Sequence, residues 1–170
     1  VAEGTQHDLH GVQGGVGTIT AAFLCEKLRT VSPASIDPEG LSRRLLPWEK
    51  HKAALHERFG SLASAVLPHA ERGYPTPEVL RNRLTTLIEG WTEIQKELQG
   101  TLRSPDAIEA ELAAAGGPVR YKELGISRER AYRAIAHSRD IRDRYTILDL
   151  VWELGYLESW AEEAVERYYD

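Results

Sequence analysis

The residues best suited to chemistry stand together near the start of the chain, in His10-Gly11-Val12-Gln13-Gly14-Gly15-Val16-Gly17-Thr18. An imidazole at the entrance of an amphipathic helix has its direction fixed by the backbone, which suits a metal ligand. The glycines behind it let other backbone come close. The same residue types also fit a capping or solvated histidine ahead of a tightly packed helix, and both readings stay open at this point. A phosphate loop is the weaker reading of the glycines, because the spacing and lysine of a Walker loop are missing and no strand precedes them. A helix N-terminus still attracts anions, but close packing is the expected role of this stretch.

A second group is Arg139, Arg142 and Arg144 with Asp140 and Asp143, directly before an apolar segment. An arginine there could reach a phosphate, whose oxygens match its planar fork. The favoured expectation is instead a network of ion pairs and caps that holds two helices in register. Asp149, set among Leu148, Leu150 and Val151, is expected to be a partly buried carboxylate paired to one of those arginines. His51, His56, His69 and His137 lack ligand-like spacing and are expected to be solvated. Cys25 is expected to be a small core residue rather than a nucleophile. No serine–histidine–acid set can be justified.

The elements that must position these residues are helical almost throughout. Val12, Val16, Ile19 and Phe23 fall on one face of a helix over Gly11–Thr30. A Ser/Pro-rich connection follows from Val31 to Gly40. Trp48, Ala53, Leu55 and Phe59 mark a shorter helix opened by Pro47. Ser61–Arg72 reads as helical with a kink or break at Pro68. After a turn at Gly73–Pro77, Thr76 caps the longest expected helix, with Leu80, Leu84, Leu87, Trp91, Ile94 and Leu98 as one stripe. Gly90 within it costs about 1 kcal/mol relative to Ala. Further helices start at Ser104-Pro105, stopping at Gly116-Gly117-Pro118, and at Ser127, running to about Ser138. A nearly all-round buried segment over Ile147–Leu154 ends at Gly155 in a left-handed turn. An amphipathic helix with Leu157, Trp160, Ala164 and Val165 closes the chain. No half-buried strand, repeat or low-complexity segment appears, so the expected fold is all-α, one domain over residues 1–170.

The first segment resembles the His-Gly-x-x-Val-Gly-Val-Gly-Thr motif of the sn-glycerol-1-phosphate dehydrogenases, within the iron-containing alcohol dehydrogenase and dehydroquinate synthase-like superfamily. A second block is similar to the same family near its C-terminus: Glu123-Leu124-Gly125-Ile126-Ser127, then Ile141 to Leu150, closing with Trp152-Glu153-Leu154-Gly155. The regions around Trp48 and Tyr74-Pro75 are similar in character. The resemblance implies the multi-helix C-terminal domain of that fold, without its N-terminal α/β nucleotide-binding domain. It gives His10 the role of the last of three protein metal ligands, the others being an aspartate and an earlier histidine expected upstream of Val1. His7 is too close to His10 to match that earlier histidine. Gly14 departs from the family, which commonly has Val there, and the departure loosens the expected helix start.

The implied activity is reversible reduction of dihydroxyacetone phosphate by NADH or NADPH. The implied cofactors are a divalent metal (zinc, with nickel and iron equally suited to imidazole) and NAD or NADP. The implied partners are a small-molecule phosphate substrate and the missing nucleotide-binding domain, and a homo-oligomer is compatible with both. Two alternatives stay open: a stand-alone helical interaction domain derived from the enzyme, and a related metal-dependent alcohol or glycerol dehydrogenase.

Composition bounds these readings. The 170 residues carry a net charge of −5, which argues against a broad nucleic-acid or anionic-membrane surface. The single cysteine allows no internal disulfide and points to a reducing, cytoplasmic setting. No stretch has the length of a membrane span, and no export signal is visible. The absence of methionine and the opening Val1-Ala2-Glu3-Gly4 lead to the expectation that an N-terminal part precedes this chain.

Overall fold

The computed structural model describes residues 10–170, and the side chains from Gly14 onward. Among the described residues the secondary structure is helical and contains no strand. Helix α1 spans His10–Leu28, followed by α2 (Pro38–Arg44), α3 (Trp48–Phe59), α4 (Ala63–Gly73), α5 (Pro77–Glu89) and α6 (Trp91–Thr101). Then come α7 (Pro105–Ala114), α8 (Arg128–His137), α9 (Ile147–Glu153) and α10 (Leu157–Tyr168). No helix among the described residues is long and apolar enough to cross a membrane.

α1 is the central element. Val16, Ile19, Phe23, Leu24 and Leu28 are all buried, as the three-and-four spacing requires. Each such side chain contributes about 1.5–3 kcal/mol by leaving water. Around α1 pack α7, α9 and α10, while α8 lies on α10, α2 on α5 and α3 on α4. A smaller apolar cluster of Leu55, Val66 and Ala70 sits between α3 and α4.

The caps follow the sequence closely. The hydroxyls of Thr76, Ser104 and Ser127 accept hydrogen bonds from the amides of Val79, Ala107 and Arg130. Four expectations need correction. The stripe from Leu80 to Leu98 belongs to two helices, because Gly90 sits outside the helical range at φ −87°, ψ 3°. The longest helix is therefore α1, with 19 residues. α4 continues through Pro68, and the chain breaks earlier, in the 3-10 turn Gly60–Leu62. Pro68 and Ser64 are both exposed, so the Ser64 carbonyl left without its donor can be solvated. The connection after α1 contains a 3-10 turn, Pro33–Ser35, and is followed by α2, which Asp37 caps through Gly40. In α3 the buried side chains are His51 and Leu55, whereas Ala53 is exposed.

Candidate functional site

Two cavities border residues weighed above for chemistry, one at the glycine stretch and one at the arginine–aspartate block. The larger, about 520 Å³, lies between α1, α8 and the start of α9. Gly17, Thr20, Ala21 and Leu24 form its α1 wall, and Ile135 and Leu148 stand opposite. Gly17 is exposed and has nothing within 4 Å of where a Cβ would stand, so its missing side chain keeps the cavity open. Gly15 differs, because a Cβ there would touch Leu112 of α7 at 3.4 Å. The glycine stretch thus serves close helix packing at Gly15 and an open wall at Gly17. Gly14 does not interrupt α1, which runs unbroken across it.

Tyr121 completes this wall from a distant part of the chain. The last turn of α10 fixes it, since the Tyr121 and Lys122 amides donate to the carbonyls of Tyr168 (2.9 Å) and Tyr169 (3.1 Å). Its phenol bonds the Thr20 hydroxyl, a side chain 101 residues away. Thr20 already donates its only hydroxyl proton to the Val16 carbonyl at 2.9 Å, so Tyr121 is the donor in this pair. Burial pushes the Tyr121 phenol above its ordinary value, and the bond to Thr20 opposes that only in part. It stays protonated at neutral pH. Sequence reasoning missed Tyr121, and no local pattern could have supplied it.

The smaller cavity, about 260 Å³, opens over a buried ionic network. Asp140 accepts hydrogen bonds from Arg139 (3.0 Å), His51 (3.2 Å) and Arg58 (3.3 Å). Arg139 also donates to Asp149 at 3.3 Å and lies on the Trp152 ring at 3.8 Å. Asp149 in turn accepts from the amide and hydroxyl of Thr146, closing the cap of α9. Asp149 is therefore paired to an arginine as the sequence indicates, and Arg139 holds elements in register. Arg142 and Arg144 remain exposed, with no carboxylate partner among the described residues.

Among the histidines, His51 overturns the expectation of solvation, because it is buried and stacked on Tyr74 with ring centroids 4.3 Å apart. Its position three residues after Trp48 and four before Leu55 was the available signal. His137 is half-buried, and burial, aided by Arg58, holds its pKa below the ordinary imidazole value. His56 is exposed, and His69 sits beside Arg72 and Asp143 at the surface. Burial raises the Cys25 thiol, as suits a packing residue rather than a nucleophile.

His10 opens α1, but its side chain lies outside the described residues, as do those of Gly11 to Gln13; His7 lies wholly outside them. By helical register, position 10 shares a face with positions 14, 17 and 21, the face that lines the larger cavity. Among the described residues no group of three or more His, Cys, Asp or Glu side chains is gathered for a metal ion. The described residues alone do not fit a metal centre. A cation at position 10 would take its other protein ligands from elsewhere. Comparison with known protein families, curated proteins and solved structures returns no match to this chain.

Proposed function

We propose that the chain is the helical C-terminal portion of an NAD(P)-dependent sn-glycerol-1-phosphate dehydrogenase, contributing one metal ligand, His10, and one wall of the catalytic cleft. The complete enzyme would interconvert dihydroxyacetone phosphate and sn-glycerol 1-phosphate, with the nucleotide and the remaining ligands held by a domain upstream. The single observation that carries this reading is the register of α1. The helix begins at the proposed ligand, and the same face continues through glycines into the larger cavity. A ligand position at the mouth of a rigid helix, on a face that continues about two turns further into an open cavity, is a geometry that a second domain can close into a cleft.

The second motif block supports the reading from another side. Arg139, Asp140 and Asp149 fix the segment before α9, and Arg142 and Arg144 stay exposed on it without a carboxylate partner among the described residues, available to an anion although neither lines the larger cavity.

A helical interaction domain is the second reading. The observation in its favour is that the described residues bury a continuous apolar core of their own. Metal analysis of the complete protein that carries this chain separates the two. His10→Ala is expected to lower bound metal at least tenfold and to abolish dihydroxyacetone phosphate reduction, with the helical circular-dichroism signal unchanged. Undiminished metal content would remove His10 from the site and leave the interaction domain.

A further inference from the structure

The larger cavity has a chemistry of its own, independent of a metal at position 10. Its walls are mainly aliphatic, with Ala21, Leu24, Ile135, Ile147 and Leu148 among them. Its polar groups are few, and most of their protons are committed. Thr20 donates to Val16, Tyr121 to Thr20, and the Thr146 hydroxyl to Asp149. The side chains left with donors to offer are Arg130 and Ser138, and no lining residue is acidic.

Arg130 is exposed and has no carboxylate partner among the described residues, although the chain as a whole is acidic and most of its arginines are paired. Arg130 and Ser138 are eight positions apart along α8 and the turn that follows it, which places them about 12 Å from each other by helical rise. They cannot grip one small head group together. They mark two ends of an apolar trough, one end cationic and the other neutral.

We infer that this cavity binds a medium-length aliphatic carboxylate. The head group pairs with Arg130, and the chain lies along Ala134, Ile135 and the Gly17 wall toward Ser138. A triose phosphate is too polar for such walls, so the occupant is distinct from the substrate proposed above, whose place is at position 10, about two helical turns from Gly17. The charge selects the anion, because a guanidinium forms strong charge-assisted bonds to carboxylate oxygens. The chain supplies the rest, each buried methylene strengthening binding about fourfold.

Calorimetric titration of the 170-residue chain with octanoate, hexanoate and octanol tests this. Octanoate is expected to bind at least tenfold more tightly than hexanoate and about threefold to fivefold more tightly than octanol, the range an exposed ion pair allows, and equally well with and without a chelator. Arg130→Gln is expected to bring octanoate down to the octanol level. Gly17→Leu projects a side chain into the open space and is expected to abolish binding of all three, with an unchanged circular-dichroism spectrum. Equal affinity for octanoate and octanol would overturn the inference, as would an Arg130→Gln protein that keeps the wild-type preference. Because Arg130 is exposed, that variant leaves the core intact and remains decisive even if Gly17→Leu fails to fold. Loss of octanoate binding on chelation would also overturn it and return the cavity to the metal site.

Discussion

Arg139 is clasped by Asp140 and Asp149, backed by Trp152, and only 8% exposed. A charge so placed is tolerable only while its partners remain, since removing one member of a buried ion pair leaves the other desolvated and unmatched. Arg139→Met is therefore expected to destabilise the protein by about 3 kcal/mol, the lower end of the range for such breaks, because Asp140 keeps His51 and Arg58. Urea unfolding measures it, and a loss below about 1 kcal/mol, the scale of a surface pair, would mean the network is solvated. His137 gives a pH-dependent counterpart. Burial lowers its folded-state pKa below the unfolded value near 6.5, so the unfolded chain binds the proton more readily. The stabilising contribution is full above about pH 6.5 and is lost as pH falls through the folded value. Unfolding midpoints measured between pH 5 and 7.5 should drop less steeply toward acid in His137→Gln than in the wild type. Parallel pH profiles would show that this imidazole has the same affinity for protons in both states.

At the scale of elements, α9 is held at both ends. Thr146 and Asp149 form a reciprocal cap at its start. At its end Gly155 adopts φ +80°, while the amides of Gly155 and Tyr156 return to the carbonyls of Trp152 and Val151. A side chain at that left-handed position is crowded against its own backbone, so Gly155→Ala is expected to cost about 1–2 kcal/mol in denaturant unfolding. Gly155→Asn should cost less, because asparagine tolerates that conformation better. If the alanine variant matched the wild type, the left-handed turn would not be the stop. This end was legible in the sequence, as were the caps at Thr76, Ser104 and Ser127, because capping is local chemistry. The break at Gly90 was not. A single residue leaving the helix keeps the apolar stripe in phase, so Leu80 to Leu98 reads as one helix by spacing. α2 escaped notice because Pro38–Arg44 is short and mostly polar, with the Asp37-Pro38 start as its one signal. The candidate site shows the same division. The α1 wall follows from periodicity, whereas its pairing with Tyr121 depends on a contact between distant segments that no local spacing encodes.

For the molecule as a whole, the last turn of α10 ties the 119–125 segment to the core and so shapes the larger cavity. Tyr168 is 1% exposed and meets Phe23 of α1 edge-on, with ring centroids 5.7 Å apart. Its carbonyl and that of Tyr169 take the amides of Tyr121 and Lys122. Asp170 adds pairs to Lys122 and Arg128 at the surface, but exposed pairs contribute little. Burial of Tyr168 and the two backbone bonds should dominate, since removing a large buried aromatic side chain costs about 3–5 kcal/mol. Deleting residues 168–170 is thus expected to remove a large share of a typical domain stability of about 5–15 kcal/mol, while Asp170→Asn changes it little. Hydrogen exchange separates a local effect on the cavity wall from a global one. In the deleted protein the Tyr121 and Lys122 amides should lose protection much more than amides in α5, which packs chiefly against α2. Equal loss at both places would mean that the C-terminal turn supports global stability without specifically holding the cavity wall.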